Sequence, residues 1–535
     1  MNRSTIAWDH IVIGAGSAGA IVAARLSEDG ERRVLLLEAG GLAKDRRYRI
    51  PALAAAHAIG NPECDWTFMT EPDPTCNNRV AMWSRGKVLG GSSILNGTIY
   101  VRGNRGDYDG WAQRGNSGWD YDSLLKYFRK LEHGEGTPPG LYGGSGPVHI
   151  TPNHGEPALA HIFIKAMEEL GIPNNPQYNG DIQTGAAISH VNQWKGYRES
   201  TARAYLDSAS KRDNLTILTG AIVRRVVFEG KRAVGAEFEH DGSIRIERCR
   251  GDVVLSASAF NTPKLLMLSG IGDPQQLTAH GIPVVQANPH VGLNLQEHPG
   301  VPIKAYVNVR TTNLQMGTLG QLMIGLRWAL TRGGPATFIF PAIAFVKTSA
   351  NLPYPDLQFH FGALGYEITP EGLKWLNRPA ITMLVNVNRS SSNGRVELRS
   401  ADPLAPPRIH PNMLSDRREV ELLKQGVRFG KSLLRTRAFA PYLESEYMPG
   451  DAVESDSALE HFIRESAGPS YHACGTAKMG VDERAVVDPR LRVIGVEGLR
   501  VIDCSIMPQV PSGNTNAICM VIGEKGAAMI LEDSK

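Results

Sequence analysis

An α/β fold, α+β overall, is what the sequence predicts: a Rossmann-like dinucleotide-binding domain joined to a second domain built on an antiparallel sheet. Three observations predict it. A short apolar run, Ile11-Val12-Ile13, ends in Gly14-Ala15-Gly16-Ser17-Ala18-Gly19, and helix formers with apolar residues at helical spacing follow over 18–26. Val34-Leu35-Leu36-Leu37 is then apolar without alternation, as a parallel strand buried on both faces requires. Between residues 301 and 464 the texture changes to strand-like runs at 356–361 and 381–387 and a helix over 417–434.

The first two runs and the turn between them form a strand–turn–helix–strand unit. Its turn is GxGxxG: the first glycine permits the tight turn, the second lets backbone approach a pyrophosphate, and the third lets helix and strand pack closely. The pyrophosphate then rests on the helix N-terminus, where free N–H groups favour negative charge. Glu38 lies 19 residues past Gly19, where a carboxylate can accept hydrogen bonds from ribose hydroxyls. The fingerprint does not separate FAD from NAD, and taken alone it would also allow an NAD(P) dehydrogenase.

The remaining elements follow in order. Residues 60–110 read as ordered loop draped over something, and 132–155 as a turn-rich domain crossing. Runs at 215–218, 222–228, 234–238 and 253–255 read as a meander returning to the first sheet. Residues 318–346 are the most apolar stretch and read first as a core helix plus strand. A lid or subunit contact is the second reading and a membrane-surface anchor the third. The last 70 residues return to Gly-rich loops, a strand at 499–502 and a helix at 518–530.

Composition bounds the function. The chain has 535 residues, 42% apolar and 21% charged, which fits two large interleaved domains and excludes disorder, collagen and coiled coil. A net charge of +3 argues against a nucleic-acid partner. The six cysteines form no CxxC pair, so neither a disulfide framework nor a cysteine zinc site is expected. The first residues carry no secretory signal and no apolar run reaches about 18 residues, so a cytoplasmic enzyme is expected.

Three further segments narrow the chemistry. One is Gly86-Lys87-Val88-Leu89-Gly90-Gly91-Ser92-Ser93-Ile94-Leu95-Asn96-Gly97; another runs from Ser258-Ala259-Phe260-Asn261-Thr262-Pro263 to Gly272. The third is the pair Tyr471-His472-Ala473-Cys474-Gly475 and Pro511-Ser512-Gly513-Asn514-Thr515-Asn516-Ala517. With the fingerprint, these resemble the glucose–methanol–choline (GMC) oxidoreductase family, its choline-dehydrogenase-like bacterial branch, over essentially the whole chain. The resemblance implies an FAD-binding domain from 1–155, 205–300 and 465–535 and a substrate-binding domain from 156–204 and 301–464. It implies FAD held by Gly14, Gly16, Ser17, Ala18, Gly19, Glu38, Ala39, Val88, Gly91, Asn96, Gly97, Thr98, Ile99, Val223, Asp503, Ser505 and Ala517. Some members bind FAD covalently through a His just before the Asn of the first motif. Leu95 stands there, so non-covalent FAD is expected.

The resemblance also implies oxidation of a small-molecule alcohol, a primary one, with oxygen, a quinone or another carrier as electron acceptor. Such chemistry needs a group to remove the hydroxyl proton, and a neutral His can. His472 is the expected base, with Asn516 orienting the substrate oxygen and Tyr471 walling the pocket. His298 is expected to be structural. The alternative on the same scaffold is a non-redox, hydroxynitrile-lyase-type reaction.

Overall fold

His10–Ile13 lies fully buried between two parallel neighbours, Val34–Glu38 and Val253–Leu255. The computed structural model describes residues 8–534 apart from 156, 370 and 371, and not the side chains of 55, 368, 369, 372 and 373. Residues 1–7, where the absence of a secretory signal was read, lie outside the described residues. The sheet continues outward to Leu215–Thr219 on one edge and Leu499–Val501 on the other, five strands, all parallel. The three central strands are buried throughout, so both faces of the sheet must be covered there. The helix Gly19–Leu26 packs along the C-terminal helix Asn516–Asp533, and Arg25 is ion-paired with the buried Glu524 of that helix at 2.8 Å.

The expected meander divides differently. Leu215–Thr219 is an edge of the parallel sheet, while Ile222–Glu229, Arg232–His240 and Ser243–Arg248 form a separate antiparallel sheet. Ser243–Arg248 was not legible in the sequence because Ile244 and Ile246 are exposed, so the strand has no buried apolar face to announce it.

The second sheet is mainly antiparallel, in the order Leu443–Met448, Pro299–Val307, Ala380–Val387, Leu357–Gly362, Ala342–Val346 and Gly185–Ile188. Side chains alternate across it, as strand geometry dictates. Val301, Ile303, Val385, Met383, Leu357 and Phe359 face one way into a core shared with the helix Arg417–Leu434. Gly300, Pro302, Lys304, Leu384, Asn386 and His360 face the other way and line a cavity. This alternation is what turns an ordinary half-buried sheet into the wall of a site.

The apolar stretch 318–346 departs from its first reading. Thr318–Thr331 is a helix, but Ile324 is its one buried residue, and Leu319, Leu322, Met323, Leu326 and Leu330 are all more than half exposed. Ala342–Val346 is the core strand. Among the described residues no helix is long and apolar enough to cross a membrane.

Candidate active site

A cavity of about 1690 Å³ lies between the carboxyl ends of the parallel strands and the inner face of the antiparallel sheet. That volume exceeds what one small molecule needs and suits a dinucleotide together with a substrate. The carboxyl ends of parallel strands are where open α/β sheets bind ligands; Ile13, Gly14, Leu37 and Glu38 stand there on the wall.

The glycine loop is shaped by close approaches. A Cβ at Gly14 would stand 2.4 Å from the Ser256 carbonyl oxygen, and one at Gly19 would stand 1.9 Å from that of Gly14. At Gly16 a Cβ would meet nothing, because that position opens onto the cavity. The helix beginning at Gly19 has no side-chain cap and no acid in its first turn, so its first N–H groups, apart from that of Ala20, which the Gly16 carbonyl holds, can meet an anion. Glu38 is buried, accepts from the Ala15 N–H at 2.8 Å and the Gly40 N–H at 2.9 Å, and keeps lone pairs for a ribose. Burial pushes its carboxyl up to about 7 against these two bonds. These features fit FAD, the cofactor that the resemblance implies.

The structure sorts the remaining expected cofactor residues. Ser17, Ala18, Ala39, Gly91, Asn96, Gly97, Thr98, Ile99, Val223 and Asp503 stand on the wall with Leu95; Gly19, Val88, Ser505 and Ala517 do not. Val88 packs instead beneath the loop with Ile94 and Leu95, and Ala517 in the main core. Asp503 also caps a short turn: it accepts from the Ser505 N–H at 2.8 Å, the Ser258 N–H at 2.9 Å and the Thr262 hydroxyl at 2.6 Å. Arg198 was not anticipated. Fully buried, with no carboxylate to offset its desolvation, it donates to Asn96 Oδ1 at 2.5 Å and so fixes the 96–99 turn.

At the other end His472 is buried between two partners. Its Nδ1 is 2.9 Å from Nδ1 of His298, and its Nε2 is 3.2 Å from Nδ2 of Asn514. Asn514 Oδ1 accepts from Gln358 Nε2 at 3.1 Å, and His360 lies against the same amide. The Glu297 carboxylate accepts the backbone N–H of both His472 and His298 at 2.8 Å. Burial pushes His298 down to about 3 and His360 to about 4. Burial, then the neighbouring His298 and His360, hold His472 well below its ordinary 6.5. At pH 7 all three rings are neutral.

The expected partner Asn516 is not on His472. It is the first residue of the C-terminal helix, and its Oδ1 accepts from the Ser17 hydroxyl at 2.7 Å, in the glycine loop. Entry into the helix turns Asn516 toward the fingerprint, while Asn514, two residues earlier in the loop, faces the histidine. His298, expected to be structural, touches His472 directly. Tyr471, at φ 64°, stands on the cavity wall with 42% of its surface open. Cys474 is buried, and its thiol is pushed well above its ordinary range by that burial.

The substrate end is walled by Pro302, Leu364, Phe340, Tyr366, Trp375 and Leu384, with Lys304 among them. Lys304 donates to the Tyr366 carbonyl and has no carboxylate within ion-pair distance among the described residues. The carboxylates on the wall are Glu38 and Asp503 at the cofactor end and the exposed Glu465, held by Asn77.

A parallel-sheet dinucleotide cradle facing a buried histidine under an antiparallel roof defines a two-domain oxidoreductase. Family models described as GMC oxidoreductase match residues 8–300 and 390–523, and the chain belongs to that family. An oxygen-dependent choline dehydrogenase of Rhizobium etli is 40% identical over 528 residues, covering 98% of this chain and 95% of the relative. Pyridoxine 4-oxidase from Mesorbium loti superposes with a TM-score of 0.88 at 29% identity, over 97% of this chain and 98% of that one. An arginine-to-lysine variant of Aspergillus oryzae formate oxidase gives 0.90 at 27% identity, over 98% of each chain.

Proposed function

We propose that the chain oxidises an uncharged primary alcohol to its carbonyl with non-covalently held FAD. FAD supplies the acceptor for the hydride that leaves the carbinol carbon. The observation that carries the reading is the pairing of His472 Nε2 with Asn514 on the wall of a cavity that runs on to the dinucleotide cradle. One proton lies between the two Nδ1 atoms; in this reading His472 carries it and His298 is protonated on Nε2, a buried atom that makes no hydrogen bond. Its Nδ1 then accepts from His472 Nδ1–H, and His472 Nε2 keeps the lone pair that takes the hydroxyl proton. The Asn514 amide, its oxygen held by Gln358, donates to the substrate oxygen as alkoxide character develops. Leu95 offers no atom that could bond to the cofactor.

The curated relatives at 40% identity act on choline by name. Here the wall at the substrate end carries no carboxylate among the described residues, and Lys304 stands on it, its charge disfavoured by burial and partly offset by Glu367. Aromatic and aliphatic walls favour a neutral alcohol of similar character. The test is to add a panel of primary alcohols, choline included, anaerobically to the FAD-loaded protein while following the flavin band. Bleaching by neutral alcohols and not by choline is expected, and readmitting air reads whether oxygen takes the electrons. Turnover of a hydroxynitrile without bleaching, or no bleaching by any alcohol while dithionite still reduces the flavin, would overturn the reading.

A further inference from the structure

Helix Thr318–Thr331 is apolar on two sides. Gln321, Ile324, Gly325 and Trp328 line the cavity. Leu319, Leu322, Met323, Leu326 and Leu330, spaced to fall on one helical face, point into solvent. Contiguous exposed apolar surface of this kind marks an interaction site. The segment around it is free of acids: none occurs from residue 311 to Asp356. Exposed cations rim it instead. Arg327 lies on the helix, and Arg332 follows it and bonds Tyr197 of the hairpin that carries the exposed Lys195. Across the cavity mouth, Lys44, Arg46 and Arg49 are exposed on the turn that precedes the wall helix Pro51–Ala58. That helix packs against both the Arg46–Arg49 turn and the Pro335–Thr337 turn beneath the apolar helix. The single acid of residues 41–60, Asp45, is engaged by Arg47.

We propose that this face docks the protein on a bilayer of anionic phospholipid. The leucine stripe enters the boundary between headgroups and acyl chains, and the surrounding arginines and lysines neutralise lipid phosphates. A second copy docked by two-fold symmetry would bring the two basic rims against each other, so the charge pattern favours the membrane. Seated in this way, the cavity mouth opens toward the lipid.

The test uses the full-length, FAD-loaded protein and vesicles of phosphatidylcholine with and without phosphatidylglycerol. Co-sedimentation with the phosphatidylglycerol vesicles, weakened by salt, is expected. Leu322→Ser/Leu326→Ser/Leu330→Ser raises the lipid concentration for half-binding at least about tenfold. Arg46→Glu/Arg49→Glu removes most of the salt-dependent part. None of these side chains is on the cavity wall, so reduction of the flavin by a soluble alcohol stays unchanged and reports the fold. Absence of binding to anionic vesicles, or a serine variant that binds like wild type, overturns the proposal. A dimer in sedimentation velocity that the serine variant dissociates, without vesicle binding, assigns the face to a second copy instead. Should the serine variant not fold, salt-independent binding of the wild type is the overturning result.

Discussion

His472 holds one histidine at one ring nitrogen and one amide at the other, and the two contacts make separable predictions. Asn514→Ala removes the donor to the substrate oxygen and lowers the anaerobic rate of flavin reduction by about 10²–10³-fold, with FAD content preserved. Asn516→Ala acts at Ser17 and lowers FAD occupancy, read as the flavin-to-protein ratio, while the residual holoenzyme reduces at close to the wild-type rate. The opposite pattern would return Asn516 to the role the sequence suggested. The pH profile follows from burial. Only neutral His472 accepts a proton, and its folded pKa lies below 6.5, so the reduction rate is flat above pH 6.5 and falls only as pH drops through that lower value. A stopped-flow profile whose acid limb sits at or above 6.5 would contradict this. His298→Ala, which frees Nδ1 of His472, slows reduction, and His298→Asn, which offers an acceptor again, restores part of the rate.

The glycine loop and the apolar helix show what is legible at the scale of an element. GxGxxG could be read because its three glycines answer to three local constraints that spacing alone expresses. Each constraint can be tested separately. Gly19→Ala sets a Cβ against the Gly14 carbonyl and destabilises the protein by at least about 2–3 kcal/mol in denaturant unfolding. Gly16→Ala meets no protein atom, so the apoprotein keeps its stability while FAD affinity falls. Equal losses of stability in the two variants would refute the assignment. The helix over 417–434 was legible to its ends because one face is buried and the other wet. Helix 318–331 was misread because an apolar stripe states that a face must be covered and not what covers it. Spacing does not separate Asn514 from Asn516, because two residues across a helix start turn a side chain from His472 to Ser17, a rotation that no spacing rule carries. Gln358 and His360 come from a strand more than 100 residues away from either motif, so only the sheet register brings them to the histidine.

At the scale of the whole molecule, the cavity is walled by both sheets, so whatever fills it ties the two together. A ligand that binds only the folded state stabilises it by RT ln(1 + [L]/Kd), about 2.7 kcal/mol at a hundredfold excess over Kd. Glu38 makes that stabilisation depend on pH. Burial raises its carboxyl to about 7 in the protein alone, so below that pH it is mostly protonated. Ribose hydroxyls donate best to the ionised form, so binding lowers this pKa and releases a proton wherever the free protein still holds one. FAD affinity should therefore rise as pH climbs from 5 toward 7, by up to about tenfold per unit, and level off above about 7. Melting temperatures at several FAD concentrations and at pH 5.5, 6.5 and 7.5 measure this directly. Glu38→Gln, which cannot ionise and offers its one oxygen to only one of the Ala15 and Gly40 N–H groups, should abolish the slope and bind at a level below the wild type at pH 7.5. A wild-type affinity that does not change over this range would mean that Glu38 is already ionised in the free protein. The two backbone donors would then outweigh its burial.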